Sequence, residues 1–210
     1  MTSPQKTNPL HTIDVAILIY PQAEVLDYAG PFEVFSTANR ILERLNQNKF
    51  FSVQLVAETD KVIETRGGFL ATPHACIDQE KQYDLLVVVG GMHLDAQKNP
   101  RLIRWIKQQA ESSNIIASVC TGAFLLAEAG LLSQKTVTTH WEDIQDLQAQ
   151  YPDLRVVENQ RWVDQGKLVT SAGITAGIDM SLHLVSRLTS SECARLTARQ
   201  MEFEWNAKTY

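Results

Sequence analysis

Residues 115–132 read IIASVCTGAFLLAEAGLL, and the order of residue types in them decides the fold. Ile115, Ile116, Ala117, Ser118 and Val119 make a short, nearly continuous apolar run, the signature of a strand buried on both faces of a parallel sheet. From Ala123 to Leu132 strong helix formers follow, with Gly130 placed to interrupt or cap the helix near its end. Between them stands Cys120-Thr121-Gly122. A strand that turns sharply into a helix with a nucleophile at the corner is an elbow. The corner lifts the side chain clear of the sheet, and the free N–H groups of the new helix point toward it. The positive helix end is expected to lower the Cys120 pKa and leave part of it as thiolate near neutrality. Gly122 lets the backbone pack where a side chain would collide. A cysteine between apolar residues is most often a small buried hydrophobe; here the strand–Cys–Thr–Gly–helix order favours a reactive thiol.

Upstream, residues 13–20 (IDVAILIY) and 84–89 (DLLVVV) are further apolar strands, and residues 51–57 (FSVQLVA) alternate like a strand. Pro21 ends the first strand, residues 22–30 read as a loop, and Pro31 is placed as the first residue of a helix. That helix carries Phe32, Phe35, Ala38, Ile41, Leu42 and Leu45 at amphipathic spacing. Residues 61–75, with Gly67-Gly68, predict two short strands and a turn, and 100–111 predicts a helix. Downstream of the elbow the order is a short strand at 134–137, a polar helix at 142–150, and β-like runs at 155–158, 161–163 and 167–170. Gly166 joins the last two runs as a hairpin. Helices follow at 178–188 and from a Ser190 cap to about Trp205. This alternation predicts one α/β domain, residues 13–210, built as three layers around a mostly parallel sheet. Residues 1–12, polar with two prolines, read as a flexible leader without the apolar core of a secretory signal.

The composition narrows the function. With 19 basic and 24 acidic side chains the net charge is −5, which gives no electrostatic case for nucleic acid or an anionic membrane. No stretch has the apolar length of a membrane span. Cys76, Cys120 and Cys193 share no metal-ligand spacing, and their odd number suits reduced thiols in a cytoplasm. HExxH, CxxC, Walker A and GxGxxG patterns are absent, so neither a metal nor a nucleotide cofactor is expected.

Gly90-Gly91 follows a buried strand directly, where backbone N–H groups can approach a ligand closely. Asp27 falls at the carboxyl end of the first strand, the edge where open α/β sheets bind ligands, although a lone acid there is more often a solvated or helix-start residue. Of the five histidines, His93 and His140 stand within chain reach of the elbow, His183 falls on an apolar helix face, and His11 is in the leader; His74 belongs to the region of short strands. Trp141, Trp162 and Trp205 are as consistent with core or interface as with a pocket.

Taken together, LDYAGPFEVF (26–35), SVCTGAFLLAEAGLL (118–132), TTHW (138–141) and TSAGITAGIDMSLHLV (170–185) resemble the ThiJ/PfpI superfamily, over nearly the whole chain. Two branches resemble it most: isocyanide (isonitrile) hydratase, and the ligand-sensing N-terminal domain of AraC-type regulators. The resemblance implies a flavodoxin-like sandwich, a homodimer, and a small-molecule substrate. By similarity to the hydratase branch, Cys120 is the nucleophile, Asp27 the facing acid, and Thr121 a further catalytic group. Gly90, Gly91 and the Thr121 N–H would surround developing negative charge, with His140 near the substrate. A His after the Cys, typical of the peptidase-like and chaperone-like branches, is replaced by Thr121. The late His-x-Glu of glutamine amidotransferases is replaced by Thr175-Ala176-Gly177. The hydratase branch implies hydration of an isocyanide to an N-substituted formamide through a thioimidate. The regulator branch implies a small-metabolite sensor, here expected without its DNA-binding module because the chain ends at Tyr210.

Overall fold

The apolar runs become strands because each has a helix layer to bury it on either face. The structure, a computed structural model, describes residues 12–205; the leader expected over 1–12 lies outside the described residues apart from Thr12. In chain order the elements are β1 (Ile13–Leu18), α1 (Val25–Arg44), β2 (Phe51–Ala57), β3 (Ile63–Glu64), β4 (Leu70–Ala71), β5 (Ala75–Cys76), β6 (Leu85–Val88), α2 (Leu94–Gln97) and α3 (Pro100–Ser112). The elbow follows as β7 (Ile115–Val119) and α4 (Gly122–Glu128). Then come β8 (Thr136–Val137), α5 (Ile144–Gln150), β9 (Arg155–Val156), β10 (Trp162–Gln165), β11 (Leu168–Ser171), α6 (Ala176–Leu188) and α7 (Ser191–Gln200).

Seven strands form one sheet in the order β10-β11-β7-β6-β1-β2-β5. Every pairing in it is parallel except β10 with β11, the hairpin that Gly166 turns. From β1 the chain crosses to β2 on one side; from β6 it crosses to β7 in the opposite direction. Right-handed crossovers that run opposite ways place α1 and α3 on opposite faces. Thus α1, α6 and α7 pack together on one face, and α2, α3 and α4 on the other. β1 and β6 are neighbours from which the chain departs in opposite directions, so a crevice opens at their carboxyl ends. The core is the set of inward residues of β1, β6 and β7 with Phe35, Ile106, Phe124, Leu125 and Leu126, all almost fully buried. Each such large side chain contributes roughly 1.5–3 kcal/mol.

The structure moves several element boundaries. α1 starts at Val25, so Asp27 lies in its first turn and Pro31 inside the helix. The sequence lacks a side-chain cap there, and the start is set by tertiary contacts instead: Ala23 bridges Gly91, and the Glu24 N–H donates to the Gly90 carbonyl at 2.9 Å. α4 ends at Glu128 rather than Leu132, with Gly130 at φ 74 in the left-handed region after it. α7 is capped by Ser190, whose hydroxyl accepts from the Cys193 N–H at 3.1 Å, but stops at Gln200, short of Trp205. Among the described residues no helix is long and apolar enough to cross a membrane.

Gly122 packs against β6, where an added Cβ would run into the Val88 carbonyl and lie 3.0 Å from the Val89 carbonyl carbon. Gly122→Ala is therefore expected to lose about 2–4 kcal/mol of stability. Gly130→Ala, in open space but left-handed, should lose about 1 kcal/mol. Urea unfolding midpoints of the two variants check this order.

Candidate functional site

Four chain segments meet at the crevice: the end of β1 with the start of α1, the turn after β6, the β7–α4 elbow, and the loop after β11. Cys120 stands at the elbow with φ 54, a left-handed conformation that a non-glycine residue seldom adopts. Both ends of the residue are clamped. Its N–H reaches the carbonyls of Ser171 and Ala172, each at 3.2 Å, and its carbonyl accepts the Thr139 hydroxyl at 2.8 Å.

Asp27 is wholly buried. Its Oδ2 accepts the Gly90 N–H at 3.0 Å, while Oδ1 is buried with no hydrogen-bonding partner among the described residues. Burial raises its pKa from 3.8 to about 7; the Gly90 amide opposes this, the Glu24 charge adds to it, and the Ile174 amide and the Cys120 thiol oppose it more weakly. Burial likewise pushes the Cys120 thiol up, and the Asp27 charge pushes it further, against the Thr121 N–H and hydroxyl that favour thiolate. The expected thiolate at rest is thus corrected: this thiol is protonated at neutral pH. A seven-residue helix contributes on the order of 0.3–1 kcal/mol at its N-terminus, and removing a charge from water costs several times that.

The diglycine does something other than the sequence predicted. Gly90 gives its N–H to Asp27, and Gly91 gives its N–H to the Thr121 hydroxyl at 3.0 Å while accepting that hydroxyl's proton at 3.0 Å. Both amides are therefore engaged with the chain itself. Their lack of side chains serves close packing: a Cβ on Gly90 would stand 2.6 Å from the Thr121 nitrogen and 2.8 Å from the Cys120 Cβ. One on Gly91, at φ 137, would meet the backbone of 22–24.

Around this centre lie residues that sequence reasoning did not single out. Tyr20 is buried, and its hydroxyl donates to the Val89 carbonyl at 3.1 Å; a tyrosine ending an apolar strand was the available signal. Ile174 sits at φ 54 and is partly exposed, a conformation that nothing in SAGITAG announces. Asp143 places its carboxylate 3.4 Å from His140 Nδ1 and acts on the Cys120 thiol. His140 itself packs against Gly173, whose missing side chain leaves room for the imidazole. His93 packs tilted against Phe124 with ring centroids 4.3 Å apart, and burial lowers its pKa.

The other histidines and cysteines are accounted for elsewhere. His74 stacks on Phe32 and accepts the Leu55 N–H; His183 stacks on Trp162 and meets Asp164 at 2.6 Å. Cys76 is half-buried at the sheet edge and Cys193 is buried in α7, both unpaired as thiols.

Two recesses flank the elbow. An open groove of about 1270 Å³ is lined by Thr139, His140, Trp141, Arg161, Ile174 and Thr175 among others, and Trp141 is 75% exposed in it. A cleft of about 600 Å³ is lined by Tyr20, Pro21, Gln22, Met92 and His93 with their neighbours. Neither lining includes Cys120 or Asp27. Each recess has one wall residue against the pair: the Ile174 amide of the groove acts on Asp27, and Tyr20 of the cleft faces both Asp27 and Cys120.

The chain is a doubly wound α/β sandwich with a strained cysteine at a strand–helix elbow and a buried acid facing it. The chain belongs to the DJ-1/PfpI family, whose model matches residues 14–187. It is 30% identical over 193 residues to isonitrile hydratase of Pseudomonas putida, covering 91% of this chain and 78% of that protein. It is also 30% identical over 187 residues to the HTH-type transcriptional regulator CdhR of Pseudomonas aeruginosa, covering 89% of this chain and 54% of the regulator. The chain thus spans about half the length of that regulator. A ThiJ/PfpI family protein from Pseudomonas syringae has the same fold, with a TM-score of 0.82 at 24% identity over 98% of this chain and 82% of that one.

The raised Asp27 pKa has a cost in stability. Unfolded, this carboxyl holds its proton only below about pH 4; folded, it holds it to about pH 7. Stability therefore falls as pH rises through that window, by up to about 4 kcal/mol above it. Asp27→Asn is expected to be more stable than wild type at pH 8, with the gap closing toward pH 4, as thermal unfolding at both pH values will read.

Proposed function

We propose that the chain is a cysteine-dependent hydratase of small isocyanides. The observation that carries the reading is the buried carboxyl of Asp27, half-ionised near neutrality, beside the buried thiol of Cys120. Such an acid is able both to take a proton and to return it at working pH. The 30% identity to isonitrile hydratase supplies the substrate class.

In this mechanism Asp27 carboxylate accepts the thiol proton as Cys120 Sγ bonds to the terminal carbon of R–N≡C. The same proton is delivered to that carbon, giving the thioimidate R–N=CH–S–Cys120. Asp27 then takes a proton from water as the water oxygen adds to the thioimidate carbon. That proton goes to nitrogen; the adduct's hydroxyl then gives its proton through Asp27 to the sulfur as the C–S bond breaks, restoring the thiol, and R–NH–CHO leaves. A thiol deprotonated only while it attacks agrees with one that burial keeps neutral at rest. Thr121, through its paired hydrogen bonds with Gly91, fixes the elbow against the turn after β6, and its N–H faces the sulfur. The groove beside His140 receives the R group.

The protein acts in the cytoplasm as a homodimer in this reading. Exposed Val62, Phe69 and Leu70 around the β3–β4 hairpin, with Met92 nearby through Gln22, offer apolar surface for a second copy. The equal identity to a transcriptional regulator supports a second reading, a small-metabolite sensor that keeps the pocket without the chemistry.

Formamide production from a simple isocyanide should be measurable for wild type and should fall by at least about 10³-fold in Cys120→Ala and about 10²-fold in Asp27→Asn. A wild type that turns nothing over, yet binds small metabolites reversibly, would sink the hydratase reading in favour of the sensor.

A further inference from the structure

We propose that Tyr20 is a positioning residue that sets the proton affinity of Asp27 through the Val89–Gly90 peptide group. The carbonyl of Val89 and the N–H of Gly90 are the two ends of one amide. The Tyr20 hydroxyl donates to the first at 3.1 Å, and the second donates to Asp27 Oδ2 at 3.0 Å. Tyr20 is 1% exposed and Asp27 0%, so the line from hydroxyl to carboxylate is out of contact with bulk water. A donor on a carbonyl draws electron density through the amide and makes its N–H a stronger donor. In a buried chain of hydrogen bonds this cooperative gain is about 10–30% per bond. The hydroxyl also fixes the tilt of the peptide plane, and with it the direction of the N–H toward Oδ2.

The hydroxyl keeps its proton, although the Thr121 side chain also hydrogen-bonds to it. Burial, with the Asp27 and Cys120 charges, raises the ionisation of Tyr20 well above its ordinary range. The other groups facing Asp27 come from each surrounding segment: Glu24 on its own helix, held 3.3 Å from Arg66; the Gly90 amide; the Ile174 amide; and Cys120. Of these, the Gly90 amide alone is tied to the Tyr20 hydroxyl, through the Val89 carbonyl, so removing the hydroxyl perturbs one contact in the set. The line to Asp27 stands on geometry alone, while its catalytic consequence rests on the proposed role of Asp27 as proton carrier.

The test is the titration of the Asp27 carboxyl carbon by ¹³C NMR, assigned by its loss in Asp27→Asn. In Tyr20→Phe the midpoint should rise by roughly half a unit. With 3-fluorotyrosine at position 20, a stronger donor of nearly the same shape, it should fall below wild type. Opposite movement in the two variants is the signature that general loosening of the site cannot produce. Coincident midpoints in all three proteins, or movement of both variants in the same direction, would overturn the proposal. Should Tyr20→Phe fail to fold, the fluorotyrosine protein decides alone: a fall supports the relay, and an unmoved or raised midpoint overturns it. Isocyanide turnover is assayed separately, so absence of formamide counts against the hydratase reading while the titration still decides the relay.

Discussion

Cys120 is held in a backbone conformation that costs on the order of 1–3 kcal/mol, and the rest of the site is arranged to hold it there. The carbonyls of Ser171 and Ala172 accept its N–H, and its own carbonyl accepts the Thr139 hydroxyl. Beneath it, Gly122 allows α4 to start against the end of β6, and Gly90 lets the neighbouring turn pass within contact of the Cys120 Cβ. A side chain at either glycine would push the corner outward. The strained residue is thus supported by close packing and hydrogen bonds from three other strand ends, and the sulfur is fixed in direction before any substrate arrives.

The same enclosure decides the electrostatics. Helix N-terminus, Thr121 amide and Thr121 hydroxyl all favour a thiolate; burial and the Asp27 charge oppose it and prevail. Asp27 is subject to the same burial, tempered by the Gly90 amide, and comes to rest near neutrality. Two acids that each resist ionisation share one pocket, and the weaker resistance is the carboxyl's. The pair is therefore suited to pass a single proton between groups.

Much of the architecture was legible because it rests on period and punctuation. The apolar runs at β1, β6 and β7, the Pro100 helix start beside Asn99, and the Gly166 hairpin are all local signals, and the structure keeps them. The elbow was legible for the same reason, since an apolar strand, Cys-Thr-Gly and a helix are adjacent in sequence. What was not legible depends on contacts between distant segments. The start of α1 is fixed by the backbone bridge from Ala23 to Gly91, which no residue near Val25 announces. The diglycine looked free to bind a ligand because its partners, Asp27 and Thr121, are more than twenty-five residues away on either side. The pKa of Cys120 was misjudged because a helix end is visible in sequence and the depth of burial is not.

Pro31 has a mechanical consequence. Lying four residues after Asp27, it has no N–H to give to the Asp27 carbonyl, and its ring presses on that turn. The helix that carries the acid therefore lacks one backbone hydrogen bond just behind it. The first turn is anchored forward, by the Glu24 and Asp27 contacts to the Gly90 backbone. Behind that turn the long helix body packs against α6 and α7, while ahead of it the acid is tied to the turn after β6.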